Sequence, residues 1–205
     1  MSKGQEMTTV AAATERAKPP DVRRRDLLDA GQRCFIEKGF AATTIEEITR
    51  GAGVAKGTFY LYFESKEDLL EGLRDRFAEG CRERIDFIAK RLAPDDWAGR
   101  LDAWVEGGIR HSLDHAALHD VVYRGGPHRH DSKAQNALGA EFEHLLRAGS
   151  AAGAWHVEKP EVVAVFLFYG LHGIVDYIQT KRTDRKAVIQ LSQRIVRNTL
   201  GVNPS

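Results

Sequence analysis

Apolar residues recur every three or four positions along most of the chain, which is the spacing of one face of an α-helix. The longest such stretch follows the helix-capping residue Ser65 and continues to Ile88. Pro94, the Gly-Gly-Pro sequence at 125–127 and Pro160 interrupt the later stretches. Neither paired alternating segments nor internal repeats nor coiled-coil heptads are found. The pattern predicts an all-α protein.

The most informative stretch is Thr43–Lys66, with the sequence TTIEEITRGAGVAKGTFYLYFESK. Thr43 and Thr44 each precede a glutamate by three residues, which is the capping-box spacing at the start of a helix. Gly53 is suited to end that helix. A second helix is predicted to begin around residues 54–56, with Phe59 and Phe63 on one side. Two short helices joined by a glycine-containing turn are typical of a DNA-binding helix-turn-helix.

From Val22 to about Leu73, the segment resembles the N-terminal domain of TetR-family transcriptional regulators. The features that carry the resemblance are Phe40, Thr43, Thr44, Ile45, Ile48, Ala52, Gly53, Val54, Gly57, Phe59, Tyr60, Phe63, Lys66 and Leu69. Ala55 departs from the pattern, because the family often has a capping serine there, and its loss removes a hydrogen bond worth about 1 kcal/mol. The resemblance implies a transcriptional regulator, usually a repressor.

The resemblance also implies how the chain is divided. Residues 1–20 lack periodicity and are interpreted as a disordered N-terminal arm. Residues 21–66 would form a three-helix DNA-binding domain. Residues 67–205 would form a larger helical domain for regulation and dimerisation.

Seven residues match the positions at which the family contacts DNA: Thr44, Lys56, Gly57, Thr58, Tyr60, Tyr62 and Lys66. Lys56 to Thr58 are the ones suited to specify bases, while the others suit phosphate contacts. Lys66 follows the Ser65 cap, so its ammonium and the helix amides are expected to converge on a phosphate. For Tyr60 and Tyr62 the alternative role is packing.

Residues 161–181 are apolar on nearly all sides, which is more apolar surface than one buried stripe requires. In the TetR family the last two helices form a four-helix interface in a homodimer, and this resemblance implies that the operator is a near-palindrome. The predicted interface residues are Val163, Leu167, Gly170, Ile174, Tyr177, Leu191 and Ile195. The alternative is a central buried helix in a monomer.

The resemblance further implies a pocket for a small-molecule effector that releases the protein from DNA. The large aromatic residues in the middle of the later helices are the candidates: Trp104, Tyr123, Phe142, Phe166 and Tyr169. An aromatic pocket would favour an apolar or planar effector. The alternative role of the same residues is plain core packing.

Composition changes this picture little. The net charge of +1 is not that of a general polyanion binder, so DNA binding must depend on a few well-placed groups. Cys34 and Cys81 occupy apolar helix positions, and we interpret them as reduced core thiols of a cytoplasmic protein. The longest apolar run, Val162–Leu171, is about half the length of a membrane span. No cofactor motif is present, so no cofactor is predicted.

The histidines raise an alternative function. His111, His115 and His119 recur every four residues, and His128 and His130 follow. Imidazole clusters bind Zn²⁺ or Ni²⁺, so the chain could be a metal-responsive regulator. The other interpretation is a polar helix face and a surface loop. Since no HExxH motif, nucleophile elbow or phosphate loop is present, the chain is predicted not to be an enzyme.

Overall fold

The computed structural model describes residues 19–126, 133–181 and 183–202, with the backbone alone at 133–136. Within these ranges the chain is α-helical and contains no strand, which confirms the predicted fold class. The helices are α1 Pro20–Lys38, α2 Ile45–Ala52, α3 Lys56–Phe59, α4 Lys66–Ala89, α5 Trp97–Asp114, α6 Ala116–Arg124, α7 Lys133–Ala151, α8 Pro160–Lys181 and α9 Arg185–Thr199. Residues 1–18 of the predicted arm, together with His128 and His130, lie outside the described residues.

Local side chains set the ends of the helices. Thr44 caps α2 and forms a capping box with Glu47, while Gly53 ends the helix in the left-handed region at φ 67°. The Ser65 hydroxyl caps α4 by accepting a hydrogen bond from the Asp68 amide at 3.1 Å. Asp184 caps α9 in the same way. The Thr44 and Ser65 caps lie where the sequence pattern predicts helix starts.

Two apolar cores share one long helix. The first core joins α1, α2 and α3 to the N-terminal half of α4 and to α6. The second core lies among α5, α7, α8 and α9 and includes Cys81 from the C-terminal half of α4. Since α4 has 24 residues and is about 36 Å long, it connects the two cores directly.

A break at His115 separates α5 from α6, where φ is −118° and ψ is 38°. The short α6 packs against α1 and α4. The buried Arg74 guanidinium ties α4 to the end of α6 by donating to the Val122 carbonyl at 3.0 Å. The first core therefore includes a helix from the predicted regulatory region.

Candidate functional site

The α2–α3 pair separates packing residues from exposed ones. Phe59 and Phe63 are buried, and they hold the pair against the first core. The polar residues around them form a surface that we name the recognition surface, consisting of Thr44, Lys56, Gly57, Thr58, Tyr60 and Tyr62. Thr44, Lys56, Gly57 and Tyr60 are exposed, whereas Thr58 and Tyr62 are half-buried. All of these residues were predicted from the sequence to contact DNA.

Gly57 is exposed on this surface. A Cβ atom added at Gly57 would have no other atom within 4 Å, so the glycine is not required by packing inside the chain. The absent side chain instead leaves the backbone open to close approach by another molecule.

Lys56 has an internal partner on the recognition surface. Its ammonium forms an ion pair with Glu46 on α2, and this hydrogen bond raises the pKa of Lys56 and lowers the pKa of Glu46. Both side chains are more than half exposed. Because exposed ion pairs are weak, a phosphate or a guanine edge can replace Glu46 as the partner of Lys56.

Lys66 is placed differently from the sequence-based expectation. Its ammonium donates to the carbonyls of Phe40 at 2.7 Å and Thr43 at 2.8 Å, and it lies 4.5 Å from the centre of the Phe40 ring. These contacts hold the turn between α1 and α2. The sequence pattern did not disclose them, because Phe40 and Lys66 are 26 residues apart.

The second candidate region is a narrow cavity with about 30 Å³ of space for water-sized molecules, and its empty volume together with the adjoining open solvent is about 370 Å³. Its lining comprises Phe77, Cys81, Trp104, Gly108, Ile109, Ser112, Tyr123, Leu138, Phe168, Leu171, His172 and Val175. Trp104 and Tyr123 were predicted as pocket residues and do lie in this wall. Phe142 lies behind Trp104 and stacks on it, with ring centres 3.9 Å apart.

Phe166 and Tyr169 are corrections to the predicted pocket. Their side chains are 73% and 58% exposed on the outer side of α8, whereas Phe168, between them, is buried in the cavity wall. Neighbouring positions on a helix differ by about 100° in direction. Because α8 is apolar on nearly all sides, its sequence did not show which aromatic residue faces inward.

His172 is a cavity residue that the sequence analysis did not single out. Its Nδ1 atom lies 3.2 Å from Nε2 of His119, a hydrogen bond between α8 and α6. The ring lies against Tyr123, with centres 4.1 Å apart. Burial lowers the pKa of His172 to about 3 and also lowers the pKa of His119, so both rings are neutral at neutral pH.

The His119 ring also faces two carboxylates. Its Nδ1 atom lies 3.7 Å from Asp120, and one oxygen of Asp176 completes a group of three potential metal ligands that lie within 4.8 Å of one another. The Arg124 guanidinium forms ion pairs with both Asp120 and Asp176. Arg124 therefore supplies the positive charge that a metal ion would bring.

The predicted histidine cluster does not assemble as one site in the described part of the chain. The rings of His111 and His115 lie 4.4 Å apart, but His119 faces His172 from the other side of the break at His115. Burial lowers the pKa of His111 to about 4. His128 and His130 are not among the described residues.

The outward sides of α8 and α9 expose large apolar residues. We name this surface the outer apolar face, and its members are Val162, Val165, Phe166, Tyr169, Gly170, Tyr177, Leu191 and Ile195. Four of the predicted interface residues belong to it, namely Gly170, Tyr177, Leu191 and Ile195. Val163 and Ile174 are half-buried beside it, whereas Leu167 is a correction, since it is buried in the second core and 5% exposed.

By length and composition alone, α8 is apolar enough to cross a membrane. Its inner side, however, packs against α5, α7 and α9, and its half-buried Asp176 forms an ion pair with Arg124 of α6. The apolar character of α8 thus comes from two different surfaces, the cavity wall and the outer apolar face.

Comparisons with known proteins agree with this geometry. The family described as "Bacterial regulatory proteins, tetR family" matches residues 27–73, which contain α2 and α3. The HTH-type transcriptional regulator YfiR of Bacillus subtilis is 23% identical over 193 residues, covering 88% of this chain and 93% of YfiR. The transcriptional repressor KstR2 of Mycobacterium tuberculosis is 38% identical over 74 residues, but this match spans only 34% of this chain and 37% of KstR2.

A solved structure extends the agreement to the whole fold. The fatty acid degradation regulator FadR from Bacillus halodurans matches with a TM-score of 0.74 at 20% identity, covering 87% of this chain and 95% of FadR. The fold therefore comprises an N-terminal helix-turn-helix domain followed by a C-terminal helical domain. Sequence motif, family model and fold agree that this chain belongs to the TetR family of bacterial transcriptional regulators.

Proposed function

We propose that the chain is a homodimeric repressor that binds a palindromic DNA operator and is released from it by a small-molecule effector. Residues 21–66 form the DNA-binding domain in this proposal, and residues 67–205 form the regulatory and dimerisation domain. The observation that carries it is the recognition surface. There, polar residues and Gly57, whose Cβ position is open space, are exposed beside the buried Phe59 and Phe63. Family membership makes the chain a regulator and not an enzyme.

The recognition surface supports direct contact with the major groove. Lys56 and Thr58 offer hydrogen-bond donors to base edges, and Gly57 between them lets the backbone approach closely. Thr44, Tyr60 and Tyr62 offer hydroxyl groups to phosphates, which position the protein without specifying sequence. We give Lys66 a supporting role in this proposal, since its ammonium already donates to carbonyls of the α1–α2 turn.

The outer apolar face supports a homodimer. Exposed apolar patches of this kind mark interaction surfaces in soluble proteins. Gly170 and Gly173 have open space at their Cβ positions, so a helix of a second copy can approach α8 closely. A dimer also places two recognition surfaces on one operator, which doubles the base contacts.

The position of α6 supports a route from the cavity to DNA. Tyr123 of α6 lines the cavity, while Leu118, Val121 and Val122 of the same helix belong to the first core. A molecule that displaces Tyr123 therefore shifts α6 against α1 and α4, and with them the recognition surface. The effector must bind the state with low DNA affinity better than the other state, and this difference limits the response.

A metal-responsive function is not proposed. Among the described residues, the two carboxylates of the potential metal site at His119 already form ion pairs with the Arg124 guanidinium, which supplies their counter-charge. We place the protein in the cytoplasm, where its operator would be.

A selection of genomic DNA fragments by the purified protein tests the proposed function. The expected result is enrichment of one near-palindromic sequence, with the same enrichment in the presence of Zn²⁺ or a chelator. A variant that carries Thr58→Ala and Lys56→Ala serves as the control and should lose the enrichment while remaining folded. If the wild-type protein enriches no sequence, the proposal is wrong, and if Zn²⁺ changes the selected sequence, the metal-responsive alternative replaces it.

A further inference from the structure

The cavity wall contains no charged side chain among the residues that the structure describes. Apolar and aromatic side chains dominate it, and Ser112, Tyr123 and His172 are its main polar members. A carboxylate entering this space would lose its hydration without gaining a cationic partner, which is strongly unfavourable. The wall thus favours an uncharged molecule.

The hydrogen bond between His119 and His172 can carry its proton in two ways. Either Nε2 of His119 donates to Nδ1 of His172, or Nδ1 of His172 donates to Nε2 of His119. The environment of the remaining nitrogen of His119 decides between them. That atom, Nδ1, lies 3.7 Å from a carboxylate oxygen of Asp120, and a carboxylate oxygen of Asp176 lies within 4.8 Å of a ring nitrogen of His119.

The carboxylates favour a proton on Nδ1 of His119, because an unprotonated nitrogen there would direct its lone pair at negative charge. In a neutral ring, Nε2 of His119 is then the acceptor. His172 must donate through Nδ1, which leaves its own Nε2 without a proton. These tautomers follow from the negative charges of Asp120 and Asp176. The charges fix the proton on His119, and His119 in turn fixes the proton on His172 in the cavity wall.

Nε2 of His172 has no hydrogen-bond partner among the described residues, although His172 lies in the cavity wall. The imidazole lies between aromatic rings, with its centre 4.1 Å from that of Tyr123 and 4.7 Å from that of Phe168. The cavity therefore combines aromatic walls with a hydrogen-bond acceptor on a neutral ring. An acceptor of this kind binds a hydroxyl and repels a carboxylate or a carbonyl oxygen.

We propose that the cavity binds uncharged, largely apolar molecules that donate a hydrogen bond to His172, such as phenols, in preference to their ethers and carboxylates. This inference rests on the proposed function, because it names the chemical class of the effector. His172 is the residue that determines the specificity, and His119 acts through it as a positioning residue.

The test uses three probes of similar shape: 4-ethylphenol, its methyl ether 4-ethylanisole, and 4-ethylbenzoate. Binding to the full chain is measured by calorimetry without DNA. We expect 4-ethylphenol to bind roughly tenfold more tightly than the ether, as one net hydrogen bond predicts, and 4-ethylbenzoate to bind more weakly than both. Equal affinities, preference for the benzoate or the absence of binding by all three would overturn the proposal.

Two variants test whether the preference for the phenol over its ether depends on the His172 ring. His172→Phe keeps an aromatic side chain but removes the acceptor, so the phenol and the ether should bind equally. His144→Phe changes an exposed histidine on α7 and should keep the tenfold preference. A preference that survives in His172→Phe would overturn the assignment.

A spectroscopic measurement on the wild-type protein keeps the proposal testable even if His172→Phe does not fold. Nitrogen-15 NMR of labelled histidines should show Nδ1 of His172 protonated and Nε2 unprotonated, and 4-ethylphenol should shift the Nε2 signal. The opposite tautomer would overturn the proposal. Operator release is measured separately, so a phenol that binds without releasing DNA contradicts the proposed regulatory role and leaves the ligand class standing.

Discussion

The recognition surface and the cavity differ in how the residues with proposed functions relate to the fold. On the recognition surface, Lys56 and Gly57 are exposed, and the neighbouring Phe59 and Phe63 provide buried contacts. In the cavity, Trp104 forms part of the wall and also stacks on Phe142 in the second core. At Lys56 and Gly57 the proposed contact with DNA is thus separate from the packing of the fold, whereas Trp104 contributes to both the cavity and the core.

This difference has a consequence for substitutions. A change at Lys56 or Gly57 should alter DNA binding and leave stability nearly intact, because these residues are exposed. A change in the cavity wall should alter ligand binding and stability together, because the removed atoms also fill the core.

Trp104→Ala should have the largest effect. Removing a buried, stacked tryptophan leaves a void in the second core, so the free energy of unfolding should fall by about 3–5 kcal/mol. Urea unfolding at one fixed protein concentration measures the change, since dimer stability depends on concentration. Phe87→Ala is the control, because Phe87 is 61% exposed, and it should change stability by less than about 0.5 kcal/mol. A loss below about 1 kcal/mol for Trp104→Ala would show that the wall is not part of the core.

Tyr169→Asp tests whether the outer apolar face resembles the recognition surface in being separable from the fold. Tyr169 is 58% exposed, so a charge there should leave each chain folded but raise the dissociation constant of the dimer roughly a hundredfold through an unpaired charge in the interface. Sedimentation equilibrium gives the constant. Phe87→Asp introduces the same charge on α4, away from this face, and should leave the dimer intact. An unchanged dimer with Tyr169→Asp would remove the outer apolar face from the proposed interface.

The two regions also differ in how far the sequence predicts them. Thr44, Glu47 and Gly53 lie within ten residues of one another, so capping and turn rules suffice to place α2 and the turn after it. Cavity residues come from five helices, α4 to α8, and His172 gains its role from His119, 53 residues away. Periodicity cannot show such a contact.

Helix α8 shows the same limit within a single element. Phe166 and Phe168 have the same side chain and are two residues apart, yet one is 73% exposed and the other 7% exposed. An apolar helix without a polar side gives no signal of its orientation. Only the packing of α8 against α5 and α7 decides which ring faces inward.

Acid should lower the free energy of unfolding through the buried histidines in and near the cavity. Burial lowers the pKa of His172 to about 3 and that of His111 to about 4, whereas both titrate near 6.5 in an unfolded chain. The unfolded state therefore binds more protons below about pH 6.5, and stability falls as the pH falls from there toward the native pKa values. Each such histidine lowers the free energy of unfolding by up to about 1.4 kcal/mol per pH unit.

His172→Phe should flatten this dependence between pH 6.5 and 5, measured by urea unfolding at each pH, because one of the buried titrating groups is removed. His144→Phe is the matched control, since His144 is exposed, and it should leave the slope unchanged. If the wild-type stability does not change over this pH range, the histidines of the cavity region are not held neutral by the fold.

Gly57→Ala tests the separation on the recognition surface. The added methyl group contacts nothing in the chain, and alanine favours helix, so stability should stay constant or rise by about 0.5–1 kcal/mol. Operator affinity should fall roughly tenfold, because the methyl group occupies space that DNA needs. Gly139→Ala on α7 is matched, since its Cβ position is also open, and it should leave DNA affinity unchanged. Equal operator affinity in both variants would place DNA away from Gly57.

Lys56 and Lys66 should show the smallest effects, and they separate a contact with DNA from a contact within the fold. Lys56→Ala removes an exposed cation of the recognition surface, so operator affinity should fall a few-fold and the slope of its salt dependence should decrease by about one counterion. Lys66→Ala instead removes donors to the Phe40 and Thr43 carbonyls, so stability should fall by about 1 kcal/mol with an unchanged salt slope. Binding assays at several salt concentrations, together with urea unfolding, separate the two effects. A salt slope reduced by Lys66→Ala would restore the phosphate contact expected from the sequence, and Lys66 would then serve fold and function together.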